Sequence, residues 1–261
     1  MKSIVITNNI KEAEVYKNAV SVIMVDLERE GKQKRQAGKN TWISDHTMDD
    51  ARKLKTFLKG SSTELWVRCD FLLPTDKLKV HLEEIVDIGV DAIMVPMFEE
   101  WEDVHRIIKW LNNKVRVIPL IETKHALTTI DKYSVFENID YIHFGLNDLS
   151  IQLKSDFLFD VLFDWRFILA LEKLRHDGQM FGIGGLMPVG TGFIDSRELL
   201  KYHAYFGSKG FIVSRGFKES INNSSGLLIK ELEVISRLLE DNKSIKGIGD
   251  LEELKEVLDQ R

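Results

Sequence analysis

Short, nearly continuous apolar runs alternate along the chain with longer stretches whose apolar positions recur every three to four residues. The first pattern reads as strands buried on both faces, the second as amphipathic helices laid over them. The predicted strands are Ser3–Thr7, Val20–Asp26, Glu64–Cys69, Ala92–Val95, Val115–Ile121, Tyr141–Phe144, Met180–Ile183 and Gly210–Val213. The predicted helices are Ile10–Ala19, Asp45–Lys59, Thr75–Ile88, Glu99–Leu111, Lys124–Ile130, Leu158–His176, Ser196–Ala204 and Gly226–Leu239. Asp45 is the expected N-cap of the second helix, and Gly60 stands just past its end. Strand–helix alternation at this rhythm predicts a parallel sheet, and eight units favour a single closed (β/α)8 TIM barrel over an open doubly wound sheet. The barrel is expected over residues 1–240. A charged tail, 241–261, carries a predicted helix at Leu251–Leu258, either on the surface or as an arm packed on a neighbouring subunit of a homo-oligomer.

Length agrees with this reading: the chain has 261 residues, and such a barrel typically takes about 250. A net charge of −5 gives no reason to expect nucleic acid or an anionic membrane as partner. Cys69 is the single cysteine, so no intrachain disulfide can form and a reducing, cytoplasmic compartment is expected. The N-terminus lacks the apolar core of a signal peptide, and no apolar run approaches the ~20 residues of a membrane span.

Barrel active sites lie at the C-terminal ends of the strands. Asp26 closes strand two, Arg68 stands near the end of strand three, Glu122 closes strand five, and Asp148 follows strand six. The fold would bring these four groups to one mouth. Two carboxylates on consecutive strands, supplemented by carbonyl and water oxygens, suit Mg2+ or Mn2+ as cofactor. Each carboxylate alone can equally serve to cap the helix after it. An arginine inside an apolar strand needs an anionic partner, either a substrate carboxylate or enolate or a barrel carboxylate in a structural ion pair.

The segment from Val25 to Gln36 is dense in charge. Such runs are usually solvated, but this one leaves a buried strand and opens a loop, Leu27–Ser44, longer than most βα connections. His46 stands at its far end and can act as acid or base near neutral pH, or simply sit at a helix terminus. The glycine-rich stretch Phe181–Gly190 is neither a Walker A loop nor a dinucleotide fingerprint. Ser214, Arg215 and Gly216 follow strand eight, where barrels often hold phosphate, which is a weak signal here.

Five stretches carry a resemblance in this order: Val25-Asp26-Leu27-Glu28, Val67-Arg68, Gly89 through Met97, Pro119-Leu120-Ile121-Glu122-Thr123, and Phe144-Gly145-Leu146-Asn147-Asp148-Leu149-Ser150. Together they resemble the HpcH/HpaI aldolase and citrate-lyase beta-subunit family of the phosphoenolpyruvate/pyruvate barrel superfamily. The resemblance implies metal ligation by Glu122 and Asp148, contact of Arg68 with a 2-oxo acid and its enolate, and a substrate carboxylate held by backbone near Gly145 and Leu146. The aldolase branch carries a histidine directly after the acidic residue matching Glu28, and here Arg29 stands there. Lys32 and Arg35 are closer to the Lys and Arg of the citrate-lyase-like branch. The implied activity is metal-dependent carbon–carbon cleavage of a 2-oxo acid. The alternatives are an acyl-CoA lyase of malyl or citramalyl type and a catalytically inactive metal-binding subunit. Without the family histidine, the expected proton-transfer group is His46 or the loop it anchors. His125, His143 and a metal-bound water are its rivals, whereas His81, His105, His176 and His203 fall in predicted helices away from the mouth.

Overall fold

The computed structural model describes residues 1–32, 44–130, 139–242 and 251–259. All strand pairings are parallel, in the order β7-β6-β5-β4-β3-β2-β1-β9-β8. The strands are β1 (Lys2–Ile6), β2 (Val22–Asp26), β3 (Glu64–Arg68), β4 (Ala92–Val95), β5 (Arg116–Ile121), β6 (Ile142–Phe144), β7 (Phe181–Ile183), β8 (Gly185–Leu186) and β9 (Gly210–Val213). β7 and β8 are the two halves of the seventh barrel strand. They part at Gly184, whose φ of 43° favours glycine. β7 pairs with β6 and β8 with β9, while Lys209 donates to the Phe181 carbonyl, so this strand closes the barrel. The glycine pair that reads as a loop in the sequence is therefore the barrel's seam.

The helices are α1 (Ile10–Tyr16), α2 (Met48–Phe57), α3 (Thr75–Ile88), α4 (Trp101–Leu111), α5 (Lys124–Thr128), α6 (Leu146–Gln152), α7 (Trp165–His176), α8 (Ser196–Phe206), α9 (Arg215–Ser220), α10 (Ser225–Asp241) and α11 (Glu252–Asp259). Among the described residues, no helix is long and apolar enough to cross a membrane. Three local expectations change. The cap of α2 is Thr47, not Asp45: Thr47 and Asp50 exchange hydrogen bonds in a capping box, which two residues of the right spacing provide and Asp45 does not. The stretch predicted as one helix from Leu158 is a 3-10 helix over Leu158–Phe163 and then α7, because Asp164 takes an extended conformation and caps the Arg166 N–H. Asp148 lies in a short helix, α6, directly after β6.

Period-two alternation sends Ile4, Val22, Met24, Trp66, Ala92, Met94, Ile118, Leu120 and Tyr141 into the barrel interior, where they form one buried cluster. The residues between them face outward into a second core beneath the helices. Leu251, Leu254 and Leu258 of the tail are buried in that second core, so α11 packs on its own chain. At the N-terminal end the interior closes with an Arg116–Glu64 ion pair of 2.8 Å, with Trp66 Nε1 donating to the same carboxylate. Continuing the inward alternation toward the C-terminal end brings up Asp26, Arg68 and Glu122.

Candidate active site

β2 and β3 end in register, with Asp26 directly beside Arg68. Arg68 donates from Nε and Nη2 to the two oxygens of Asp26 at 2.8 and 2.6 Å. The chain after β2 turns back over this pair. The Glu28 N–H donates to Asp26 Oδ1, and Lys32 sets its Nζ 3.1 Å from both Asp26 Oδ2 and Glu28 Oε2. Arg68 Nη2 lies 3.5 Å from Glu28 Oε2, and Nη1 lies 3.9 Å from Glu122 Oε1, beyond hydrogen-bond length. The two cations thus alternate with three carboxylates across the mouth.

Glu122 follows the last residue of β5 and is 4% exposed. Gly145, after β6, makes room for it: a Cβ there would lie 2.5 Å from Glu122 Oε1. The Gly145 N–H donates to the Ile121 carbonyl, so the glycine matters here through its missing side chain. Leu146 opens α6 and is buried against Gly184, where a Cβ would meet Leu146 Cδ1 at 2.7 Å. Asp148, in the first turn of α6, is buried close enough for its charge to act on Glu122.

The charges explain each other's ionisation. Burial pushes Asp26 up, but Arg68 and Lys32 outweigh it and hold the carboxyl well below the usual range. Burial opposes the charge of Arg68, and Asp26 and Glu28 restore it and raise its pKa further. Glu122 goes the other way. Burial, then repulsion from Glu28 and Asp148, push it well above the ordinary carboxylate range, and Arg68 and Lys32 offset only part of this. Among the described residues, the mouth holds four carboxylates (Asp26, Glu28, Glu122 and Asp148) and two cations, Lys32 and Arg68. Buried negative charge in excess calls for a cation.

Glu122 Oε2 is buried without a hydrogen-bond partner. Among the described residues no three His, Cys, Asp or Glu side chains gather around one point. Two carboxylates with open positions fit a hard divalent ion that keeps oxygen ligands from water and substrate, and do not fit a closed structural zinc site. We expect Gly145→Ala to lower the melting temperature, because its Cβ would overlap Oε1, Cγ and Cδ of the buried Glu122 side chain, and, where Glu122 holds a cation, to weaken Mn2+ binding at least tenfold by displacing it. Calorimetric titration and a melting curve on one preparation check this.

The structure places the remaining predicted residues unevenly. Arg35 lies outside the described residues. His46 reaches β2, but its Nδ1 accepts the Asp26 N–H at 2.9 Å. That bond uses the ring's lone pair, so the geometry holds the last peptide of β2 and does not suit the expected base role. Burial also holds the pKa of His46 below normal, against the pull of Asp26, Asp45 and Asp50. His46→Asn should therefore lower kcat by less than about tenfold, where loss of a general base costs about a hundredfold or more. A hundredfold fall at unchanged melting temperature would restore the base.

His81 is not remote from the mouth, as its helix position suggested: its Nε2 accepts the Asp70 N–H at 3.0 Å, the same service at the end of β3. His125 is half exposed beside Glu100. His143 is fully buried in the interior, 3.0 Å from the Tyr141 hydroxyl. The sequence offers His143 as a rival base, and its pairing with Tyr141 shows there only as the alternation that turns both residues inward.

A model of the family described as HpcH/HpaI aldolase/citrate lyase matches residues 12–211. No curated protein matches the chain in sequence. Among solved structures, an HpcH/HpaI aldolase from Desulfitobacterium hafniense DCB-2 superposes with a TM-score of 0.62 at 14% identity, covering 87% of this chain and 91% of that one. An HpcH/HpaI aldolase/citrate lyase family protein from Burkholderia cenocepacia J2315 gives a TM-score of 0.64 at 12% identity, with 91% and 94% covered. Macrophomate synthase gives 0.56 at 14% identity, with 90% and 84% covered. At these identities the superpositions speak for the fold.

Proposed function

From the premise that the chain belongs to the HpcH/HpaI aldolase/citrate lyase family, we propose that it is a divalent-metal-dependent carbon–carbon lyase acting on a 2-oxo acid through a pyruvate-type enolate. The observation that carries this reading is the buried mouth in which Glu122, with an unpartnered oxygen, and Asp148 stand across from an arginine already fixed by a second carboxylate. Glu122 and Asp148 would hold Mg2+ or Mn2+, which supplies Lewis acidity toward the oxygens of a bound 2-oxo acid.

Arg68 does the electrostatic work in this reading. Asp26 fixes its Nε and Nη2, which leaves Nη1 toward Glu122 and the open side of the mouth. A guanidinium so oriented needs no reorganisation to stabilise negative charge growing on a substrate oxygen. Lys32 keeps Asp26 and Glu28 neutralised, so that neither repels an incoming carboxylate. The first turn of α6, at Leu146, offers backbone to the substrate carboxylate. His46 and His81 tie down the ends of β2 and β3 from behind.

The test is turnover of oxaloacetate and of a panel of pyruvate aldols, with Mn2+ and after its removal by chelation. Metal-dependent release of pyruvate is the expected result. Turnover confined to a CoA thioester would reassign the enzyme to acyl-CoA cleavage, and no turnover of any substrate would favour a non-catalytic subunit.

A further inference from the structure

Asp70 is a buried carboxylate that the proposed chemistry does not use. It stands two residues past Arg68, where β2 and β3 have stopped pairing. Their ladder ends at Asp26 beside Arg68, with one further bond from the Leu27 N–H to the Arg68 carbonyl. Beyond that point a side chain takes over from the backbone. The Glu30 N–H donates to Asp70 at 3.1 Å (Oδ1) and 3.3 Å (Oδ2), and the Arg29 N–H donates to the same carboxylate. Asp70 is itself held, since its own N–H donates to His81 Nε2 at 3.0 Å.

These bonds fix a turn whose two ends serve the mouth. Gly31, at a φ of 71°, closes the turn, and the Lys32 N–H donates to the Arg29 carbonyl. Glu28 and Lys32 thereby form an i,i+4 ion pair, which meets Asp26 and Arg68. The middle of the turn goes elsewhere. Glu30 is exposed, and the Arg29 guanidinium donates to the His46 carbonyl at 2.8 Å. Arg29 shares with His46, Asp70 and His81 a cavity of about 280 Å3 whose lining includes none of Asp26, Glu28, Lys32 and Arg68. The two residues that Asp70 binds through their backbone are thus the two whose side chains stay out of the mouth.

A charge at this place is opposed by its surroundings. Burial, Glu30 and Glu28 all raise the pKa of Asp70, and its two N–H donors offset only part of this. A carboxylate offers in return two oxygens for charge-assisted bonds to two successive N–H groups, which a neutral acceptor does not. Resting on the reading of the mouth as a 2-oxo acid site, we propose that Asp70 is a positioning residue: through the backbone of Arg29 and Glu30 it sets the turn that delivers Lys32 between Asp26 and Glu28. A lysine has much rotamer freedom to lose, and a preset backbone removes part of that loss before substrate arrives. Asp70 touches neither substrate nor cation.

The experiment has two arms. Kinetics on a 2-oxo acid compare wild type with Asp70→Leu, Asp70→Asn, Lys32→Met and the double variant Asp70→Leu with Lys32→Met, each checked by melting temperature. Asp70→Leu should raise KM at least about tenfold, because Asp26 and Glu28 lose their neutralising cation, and should change kcat by less. Asp70→Asn keeps one acceptor oxygen and should lose less than Asp70→Leu. Residues that act through one another are not additive, so the double variant should stay within about threefold of Lys32→Met in KM. Additive losses, wild-type KM in folded Asp70→Leu, or a fall in kcat at unchanged KM overturns the proposal. The second arm needs no turnover. Lys32 should react with methyl acetimidate at least about tenfold faster in folded Asp70→Leu than in wild type, read by peptide mass spectrometry, while the exposed Lys230 reacts equally in both. In wild type the Glu30 amide should exchange with deuterium at least about tenfold slower than an unstructured amide, although the residue is exposed. Unchanged Lys32 labelling, or Glu30 exchange at the unstructured rate, overturns the proposal. Where Asp70→Leu does not fold, Asp70→Asn and the exchange measurement decide. If no 2-oxo acid is turned over while labelling and exchange behave as stated, the catalytic reading fails and the hold of Asp70 on the turn stands.

Discussion

The Glu122→Gln variant is expected to lose divalent-cation binding and at least a hundredfold in turnover, yet to melt at a higher temperature than wild type in chelator at neutral pH. Both effects have one cause. Glu122 is buried among Glu28 and Asp148, and its charge is opposed by burial before any neighbour acts. Glutamine keeps the shape and removes the charge. Because the folded-state pKa is raised, the native protein still binds this proton at pH values where the unfolded chain has lost it. Stability therefore falls as pH rises from the unfolded value, about 4.3, toward the folded one. The advantage of the variant should be absent below about pH 4 and grow above it. Relief of order 1–2 kcal/mol corresponds to a few degrees in a chain of this size. Saturating Mn2+ should reverse the ranking, since ligand bound only by the folded wild type stabilises it. Melting curves across pH, with chelator and with Mn2+, check all three statements. An unchanged metal affinity would remove Glu122 from the cation site.

Arg68→Lys should cost at least a hundredfold in kcat while Mn2+ affinity stays within a few-fold. Lysine keeps the charge but cannot bind both oxygens of Asp26 and still extend a third nitrogen toward Glu122. The lost quantity is a preorganised donor aimed at developing charge, and removal of one such donor commonly costs about 10²–10³ in kcat. The variant should also melt lower. Asp26 loses a bidentate partner, and its stabilising contribution, present above the unfolded carboxylate pKa and lost as pH falls through the folded one, shrinks. If Arg68 serves only as a structural ion pair, the melting temperature drops and kcat per folded molecule does not.

Most of the barrel could be read from the chain because its strands are short, β-branched and buried on both faces. Asp26, Arg68 and Glu122 were legible for the same reason: a charged residue ending such a strand has nowhere to go but the mouth. The breaks were harder. Apolar spacing runs unchanged through Asp164, so the switch from 3-10 helix to α7 shows only as a capping aspartate before Trp165-Arg166. Gly184-Gly185 has the composition of a loop, yet its backbone seals the sheet. The roles of the histidines depended on contacts that spacing does not carry. His46 looked like a base from its position near Asp26, and only the Asp26 N–H on its Nδ1 shows why the ring is already committed. His81 looked distant because a helix position says nothing about which strand end its side chain reaches. His143 reads as a rival base and Tyr141 only as the start of strand six, and the glycines that accommodate the pair lie on other strands.

The central claim, that this mouth forms the enolate of a pyruvate unit with the help of a divalent cation, is tested most directly by hydrogen exchange. Pyruvate is incubated with the protein in D2O, and loss of its methyl proton signal is followed by NMR with Mg2+ and with chelator. The account predicts exchange that requires the cation and disappears in folded Glu122→Gln and Asp148→Asn variants. Absence of exchange with any divalent cation, or exchange that proceeds equally in chelator and in both variants, would contradict it.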